Sequence, residues 1–216
     1  MNYSRRTLLS ILLFGSIWGG LEAVVTASME GVGEVVSRSV VLALIAVMVL
    51  SYARMALPYR GSILAIGLVA AGFKFLGLPN LYTCQLAGVV GQAIVLEILF
   101  SLVEMRQRAL SLGAMAVLML LSGTVNALVF CTSQAYLFQN HWWAERGFSG
   151  LMQWVATVGM QAALASVLGY GVAVLLSRSR VLAYTRLAGL KPVLFNGTVI
   201  TVSTGCWTIG AILQRM

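Results

Sequence analysis

Runs of about twenty apolar residues, broken by short polar stretches rich in arginine, recur along the whole of this 216-residue chain. A run of that length is what a helix needs to cross the hydrocarbon of a bilayer, where no water satisfies backbone N–H and C=O groups. Barrel strands would instead read as alternating segments of about ten residues. Sixty per cent hydrophobic residues and 9% charged ones, with a mean hydropathy of +0.93, exclude an ordinary soluble domain. The expected fold is all-α, a polytopic membrane helical bundle that forms a single integral membrane domain over residues 1–216. Spans are expected near residues 7–27, 39–57, 62–78, 86–104, 111–137, 150–177 and 195–213. The first six form a core over roughly 7–178. The seventh, diluted by Asn196, Thr198, Thr201, Ser203 and Thr204, is an addition that crosses the membrane or lies re-entrant at its edge. Pro58-Tyr59-Arg60-Gly61 and Pro79-Asn80 mark the turns on either side of the third span.

The basic residues are unevenly shared between the two ends of such a bundle. Arg5, Arg6, Arg54, Arg60, Arg106, Arg108, Arg178, Arg180, Arg186 and Lys191 fall at one end, and Arg38, Arg146 and Arg215 at the other. Cytoplasmic loops collect Lys and Arg, so the expected N-terminus is inside and, with seven spans, the C-terminus outside, in a bacterial-type cytoplasmic (inner) membrane. The formal charge of +8 then reflects contact with anionic lipid and gives no reason to invoke nucleic acid. Ser4-Arg5-Arg6-Thr7-Leu8-Leu9 superficially resembles a twin-arginine export signal. With further spans following, it reads better as the positive flank of a first helix.

Glu22, Lys74 and Glu97 lie inside apolar runs. A charge at membrane depth persists mainly where it meets a partner, a cavity or a ligand. By a rise of 1.5 Å per residue, Glu22 lies about 7.5 Å and Lys74 about 6 Å below the outer boundary, so the two are expected to pair in the outer third of the bundle. Glu97 comes about a dozen residues into the inward-running fourth span, without an opposite charge at its own depth, and hydrogen bonding to Asn126 or Gln161 is expected for it. Gln85, Gln134, His141, Trp142, Trp143 and Gln153, with Tyr82, Gln139 and Trp154, gather at the outer level. Together with Glu22 and Lys74 they form a candidate outward-facing ligand site, although Trp142 and Trp143 also suit an interfacial belt. Gly15, Gly19, Ala23 and Ala27 recur every fourth residue, which stacks small side chains on one helix face; such a face admits a second helix, from a partner or from the same chain.

Cys84, Cys131 and Cys206 are expected in the outer half, where a disulfide is permitted but no pairing can be read. The sequence holds no metal-ligand spacing, phosphate loop, zincin helix or nucleophile elbow. It also lacks aspartate altogether. No cofactor, metal or catalytic residue is therefore assigned.

The order Gly15-Ser16-Ile17-Trp18-Gly19-Gly20-Leu21-Glu22-Ala23, then Arg60-Gly61-Ser62 leading into Phe73-Lys74-Phe75-Leu76, then the helix of Glu97, resembles the substrate-binding (S) components of energy-coupling-factor (ECF) transporters. The resemblance covers roughly residues 7–178 and leaves the last span unaccounted for. It implies a six-helix membrane protein that captures a vitamin or metal ion from outside and docks through spaced alanines of its first helix on a transmembrane coupling protein driven by two ATPases. That alanine motif would fall on Ala23 and Ala27, with Gly15 and Gly19 at its earlier positions. Cobalt- and nickel-specific members begin with a Met-His pair, whereas this chain begins Met1-Asn2, which turns the expectation from a metal to a small organic ligand.

Three functional classes are compatible with these features. The leading one is a substrate-capturing membrane subunit of an uptake transporter for a small organic molecule such as a vitamin. The second is a non-catalytic accessory or assembly subunit of a larger membrane complex. The third is an intramembrane enzyme using Glu97 as base.

Overall fold

A computed structural model describes residues 4–29, 37–73, 75, 83–105, 110–179 and 184–213, with backbone alone at 83–85, 185 and 186. The described residues are almost wholly helical and contain no strand. Helix α1 runs Arg5–Ser28, α2 Arg38–Ala56, α3 Ser62–Gly72, α4 Thr83–Met105 and α5 Leu112–Thr132. Short helices α6 (His141–Ala144) and α7 (Gly147–Trp154) precede α8 (Met160–Arg178), α9 (Tyr184–Ala188) and α10 (Pro192–Leu213). Two π-helical turns extend this pattern: Ser133–Leu137 continues α5, and Val155–Gly159 joins α7 to α8 in one rod. Among the described residues, five helical stretches are long and apolar enough to cross a membrane: Arg5–Ser28, Arg38–Ala56, Leu86–Met105, Leu112–Leu137 and Gly147–Arg178.

Local chemistry sets the ends. Ser4 and Ser111 cap α1 and α5, their hydroxyls accepting from the Thr7 and Ala114 N–H groups at 3.3 and 3.2 Å. Pro58 follows the end of α2, where the missing N–H and fixed φ of proline stop a helix. Gly61 opens α3 at φ 83°, a left-handed conformation that a side chain would disfavour. The described helix α3 has 11 apolar residues and ends at Gly72; residues 74 and 76–78 of the span expected at 62–78 lie outside the described residues.

Among the described residues, six helices close into a ring in the order α1, α2, α8, α5, α4, α3 and back to α1, with α10 laid against α1 from outside. Trp18, Val47, Leu50, Ile63, Ile66, Leu96 and Met119 fill the core between α1, α2, α3, α4 and α5. Close approaches depend on glycine. A Cβ on Gly169 of α8 would fall 2.5 Å from the Leu44 carbonyl oxygen of α2, and one on Gly123 of α5 would fall 2.6 Å from the Ala163 Cα of α8. Small residues of this kind let membrane helices gain contact where no hydrophobic force drives them together.

The small-residue face of α1 is used inside the chain. A Cβ on Gly15 would meet Val69 at 2.5 Å, and one on Gly19 would meet the Phe73 ring at 2.4 Å. Ala23 is buried near Gly210 of α10, and Ala27 is half-buried. Helix α10 adds a hydrogen bond from Trp207 Nε1 to Ser16 Oγ at 3.1 Å and stacks Trp207 on Phe73 with ring centroids 4.3 Å apart. Phe195 and Val199 of α10 bury against Leu13. Of the two occupants expected for this face, a partner or the same chain, helices α3 and α10 of the same chain lie against Gly15, Gly19 and Ala23. Spacing reveals that such a face exists but not whose helix fills it.

Candidate functional site

Inside the ring lies a cavity of about 290 Å³, walled by α1, α2, α4, α5, α7 and α8. Because consecutive helices run in opposite directions, its residues sort by level. Trp18, Ala46, Gln92, Gly123 and Ser166 form the floor, and Thr26, Arg38, Gly88, Phe130 and Trp154 surround the mouth. Glu22, 7% exposed, stands between them one turn beyond Trp18. At the mouth, Arg38 Nη2 donates to the Met29 carbonyl at 3.5 Å, tying the start of α2 to the end of α1. On the floor, Asn126 Nδ2 donates to Gln92 Oε1 across the α4–α5 seam. Ser166 Oγ donates back along its own helix to the Ala162 carbonyl at 2.9 Å. Three aromatic rings, Trp18, Phe130 and Trp154, supply much of the apolar wall. Apolar and aromatic walls with a few polar groups are the usual make-up of a small-molecule site.

Of the residues expected at this site from sequence, Glu22 and Trp154 line the cavity. Lys74, Tyr82 and the side chain of Gln85 lie outside the described residues, so the expected Glu22–Lys74 pair does too. The remaining expected site residues sit elsewhere. His141 and Trp142 face outward, with His141 Nε2 3.0 Å from Glu145 Oε1 and the Arg146 guanidinium 3.7 Å from the Trp142 ring centroid. Gln153 is exposed. Trp143 is buried in a separate aromatic cluster, edge-on to Phe130 and Trp154 at centroid distances of 5.4 and 4.9 Å. Gln134 is fully buried behind that cluster, outside the cavity lining. The reason is local: the turn at 138–140, with Gln139 at φ 49°, and the four-residue α6 carry this segment away over the end of the bundle. Cys131 and Cys206 are free thiols, and the Cys84 side chain is outside the described residues.

Glu97 also differs from expectation. Its partner is Arg54 of α2, Nη1 to Oε1 3.4 Å, rather than Asn126 or Gln161; Asn126 serves Gln92, and Gln161 is exposed. The carboxylate also accepts from the Gly61 and Ile63 N–H groups at 2.7 and 3.0 Å and from the Ser101 hydroxyl at 3.0 Å. It thereby caps the N-terminus of α3 from a neighbouring helix, where the helix dipole favours negative charge. Arg54, 3% exposed, forks onto Glu104 with Nε–Oε1 and Nη2–Oε2 both 2.7 Å. It also donates to the Tyr59 carbonyl and, at 3.3 Å, to Ser62 Oγ. This staple joins the C-terminal ends of α2 and α4 to the start of α3, at the opposite end of the ring from the cavity mouth.

Sequence reasoning missed Gln92, Arg38 and Arg54. Gln92 sits in mid-run on α4 one turn from Gly88, a polar residue at membrane depth and hence a signal that was there to be read. No family model, no curated protein and no solved structure matches the chain.

Proposed function

We propose that this protein captures a small organic molecule in the cavity of its helical ring, as the substrate-binding subunit of a membrane uptake system. The observation that carries this reading is the cavity itself: about 290 Å³ walled by Trp18, Phe130 and Trp154, with Glu22, Arg38, Gln92 and Asn126 turned to it. The volume is that of about ten water molecules, enough for a compact ring compound. The excess of basic residues at the Arg54 end supports a cytoplasmic assignment for that end, which puts the cavity mouth toward the exterior. The order of residues in α1 and α3 that resembles ECF S components agrees with capture from that side. Because α3 and α10 occupy the small-residue face of α1, an energising partner in this scheme meets another surface.

The test is gentle purification followed by native mass spectrometry of wild type and Gly88→Phe. A Cβ on Gly88 would lie 3.7 Å from the Phe130 ring, ordinary contact, and a phenyl group beyond it crowds the mouth. The expected result is a stoichiometric small molecule on wild type and at least a tenfold lower occupancy on the variant, at equal thermal stability. Recovery of ligand-free protein within a larger assembly would favour the accessory-subunit reading instead.

A further inference from the structure

Where the stretch Leu112–Leu137 ends and Gly147–Arg178 begins, the chain leaves large apolar side chains uncovered. Tyr136, Leu137, Phe138, Trp142 and Phe148 are all exposed, Leu137 by 73% and Phe148 by 68%. Helix α6 packs against both the π turn at Ser133–Leu137 and α7, so these side chains share one end of the bundle. At a rise of about 1.5 Å per residue, the 26 and 32 residues of the two stretches measure about 39 and 48 Å against about 30 Å of hydrocarbon, so both can extend into the headgroup layer. The patch also lies at the end of an outward face of α5, on which Val117, Leu121, Val125 and Val129 are exposed at a spacing of four.

One cation accompanies this apolar surface. Trp142 is 54% exposed and rests edge-on against the buried Trp143, with centroids 4.8 Å apart. The Arg146 guanidinium lies over the Trp142 ring, 3.7 Å from its centroid. The neighbouring carboxylate, Glu145, stands 3.0 Å from His141 Nε2, and among the described residues no carboxylate pairs with Arg146. A guanidinium stacked on an indole keeps its planar donors for an anion at its edge.

We propose that this patch docks into the lipid headgroup layer at the cavity end of the ring, with the Trp142 indole among the ester groups and Arg146 on a lipid phosphate. Tryptophan and tyrosine favour that depth because one side of the ring is dry and the other wet. Apolar area of this kind costs free energy when left in water, and a guanidinium fork matches a phosphate. The occupant is lipid because the patch follows the outward face of a membrane-length helix and carries its unpaired cation at phosphate level.

The probes are lipids brominated either near the headgroup or near the chain ends, in nanodiscs holding the full chain. The Trp142 signal is the difference in emission between wild type and Trp142→Phe, which separates it from the other tryptophans. The expected result is that shallow bromines quench this difference at least about twofold more than deep ones, and that aqueous iodide quenches it little. In discs mixing phosphatidylglycerol with a phosphate-free galactolipid, bromine on the phospholipid should quench it about fivefold more than bromine on the galactolipid, the scale of one basic side chain at an anionic surface. Arg146→Gln should bring the two lipids close to equal. Phe148→Trp, which adds a reporter instead of removing one, should gain emission with the same shallow quenching. Iodide quenching without bromine quenching overturns the docking, and shielding from both shows that protein covers the patch and overturns it too. Bromine quenching with the same lipid ratio in wild type and Arg146→Gln overturns the phosphate contact.

Discussion

The two ends of the ring treat buried polar groups in opposite ways. At the Arg54 end, the guanidinium is spent on Glu104, Glu97, Ser62 and the Tyr59 carbonyl. Glu97 in turn is spent on two backbone N–H groups and the Ser101 hydroxyl. The donors and acceptors of this staple are matched within the chain. In the cavity, polar side chains from different helices face a common space, and one atom of the Gln92 amide has no partner among the described residues. A polar network satisfied from within specifies one packing of its helices, whereas one satisfied in part has capacity for a guest. If the cavity holds the ligand as proposed, architecture and recognition occupy opposite ends of the same helices.

The strongest way to break that comparison is Arg54→Met. Removing the guanidinium takes from Glu97 and Glu104 the cation they share, which should cost about 3–5 kcal/mol in reversible unfolding from mixed micelles. A cost below about 1 kcal/mol would show that the staple does not hold the ring. Gly169→Ala comes next. Its Cβ would fall 2.5 Å from the Leu44 carbonyl, so α2 and α8 must separate, at about 1–3 kcal/mol in the same assay. Since α2 and α8 both wall the cavity, this variant should also weaken ligand retention, which Arg54→Met, once folded, should leave nearly intact. The smallest effect belongs to Asn126→Ala. It removes one neutral hydrogen bond beside a cavity and should cost about 1 kcal/mol of stability. A loss as large as that of Arg54→Met would erase the distinction between the two ends.

Much of the scaffold was legible because length and hydropathy act residue by residue. The expected span near 39–57 is α2 at Arg38–Ala56, and the one near 111–137 is α5 with its π turn, ending at Leu137. Neither π turn was legible, since each depends on backbone hydrogen-bond register, to which hydropathy is blind. At the site, Glu22 stood out as a charge within an apolar run, and it does line the cavity. Arg54 did not, because its place in the last turn of α2 reads as a loop charge. Its long stem carries the guanidinium inward to Glu97, so depth counted along helix axes missed the pair. The aromatic segment 141–143 was placed at the site by its level in the bundle, but level says nothing of azimuth, and His141 and Trp142 point away.

The π turn at Val155–Gly159 has a consequence for ancestry as well as shape. Trp154 and Ala162 both border the cavity, yet eight residues of regular α-helix would leave them about 80° apart in azimuth. A π turn accommodates one surplus residue, taking back about 100° and bringing the two nearly into line. The π turn thus absorbs a surplus residue, such as one inserted codon adds, and holds the indole on the wall that a plainer helix one residue shorter would also give it. Deleting one codon between Val155 and Gly159 would leave seven residues of regular α-helix between Trp154 and Ala162, about 700°, and so keep the tryptophan in the wall while removing the π turn.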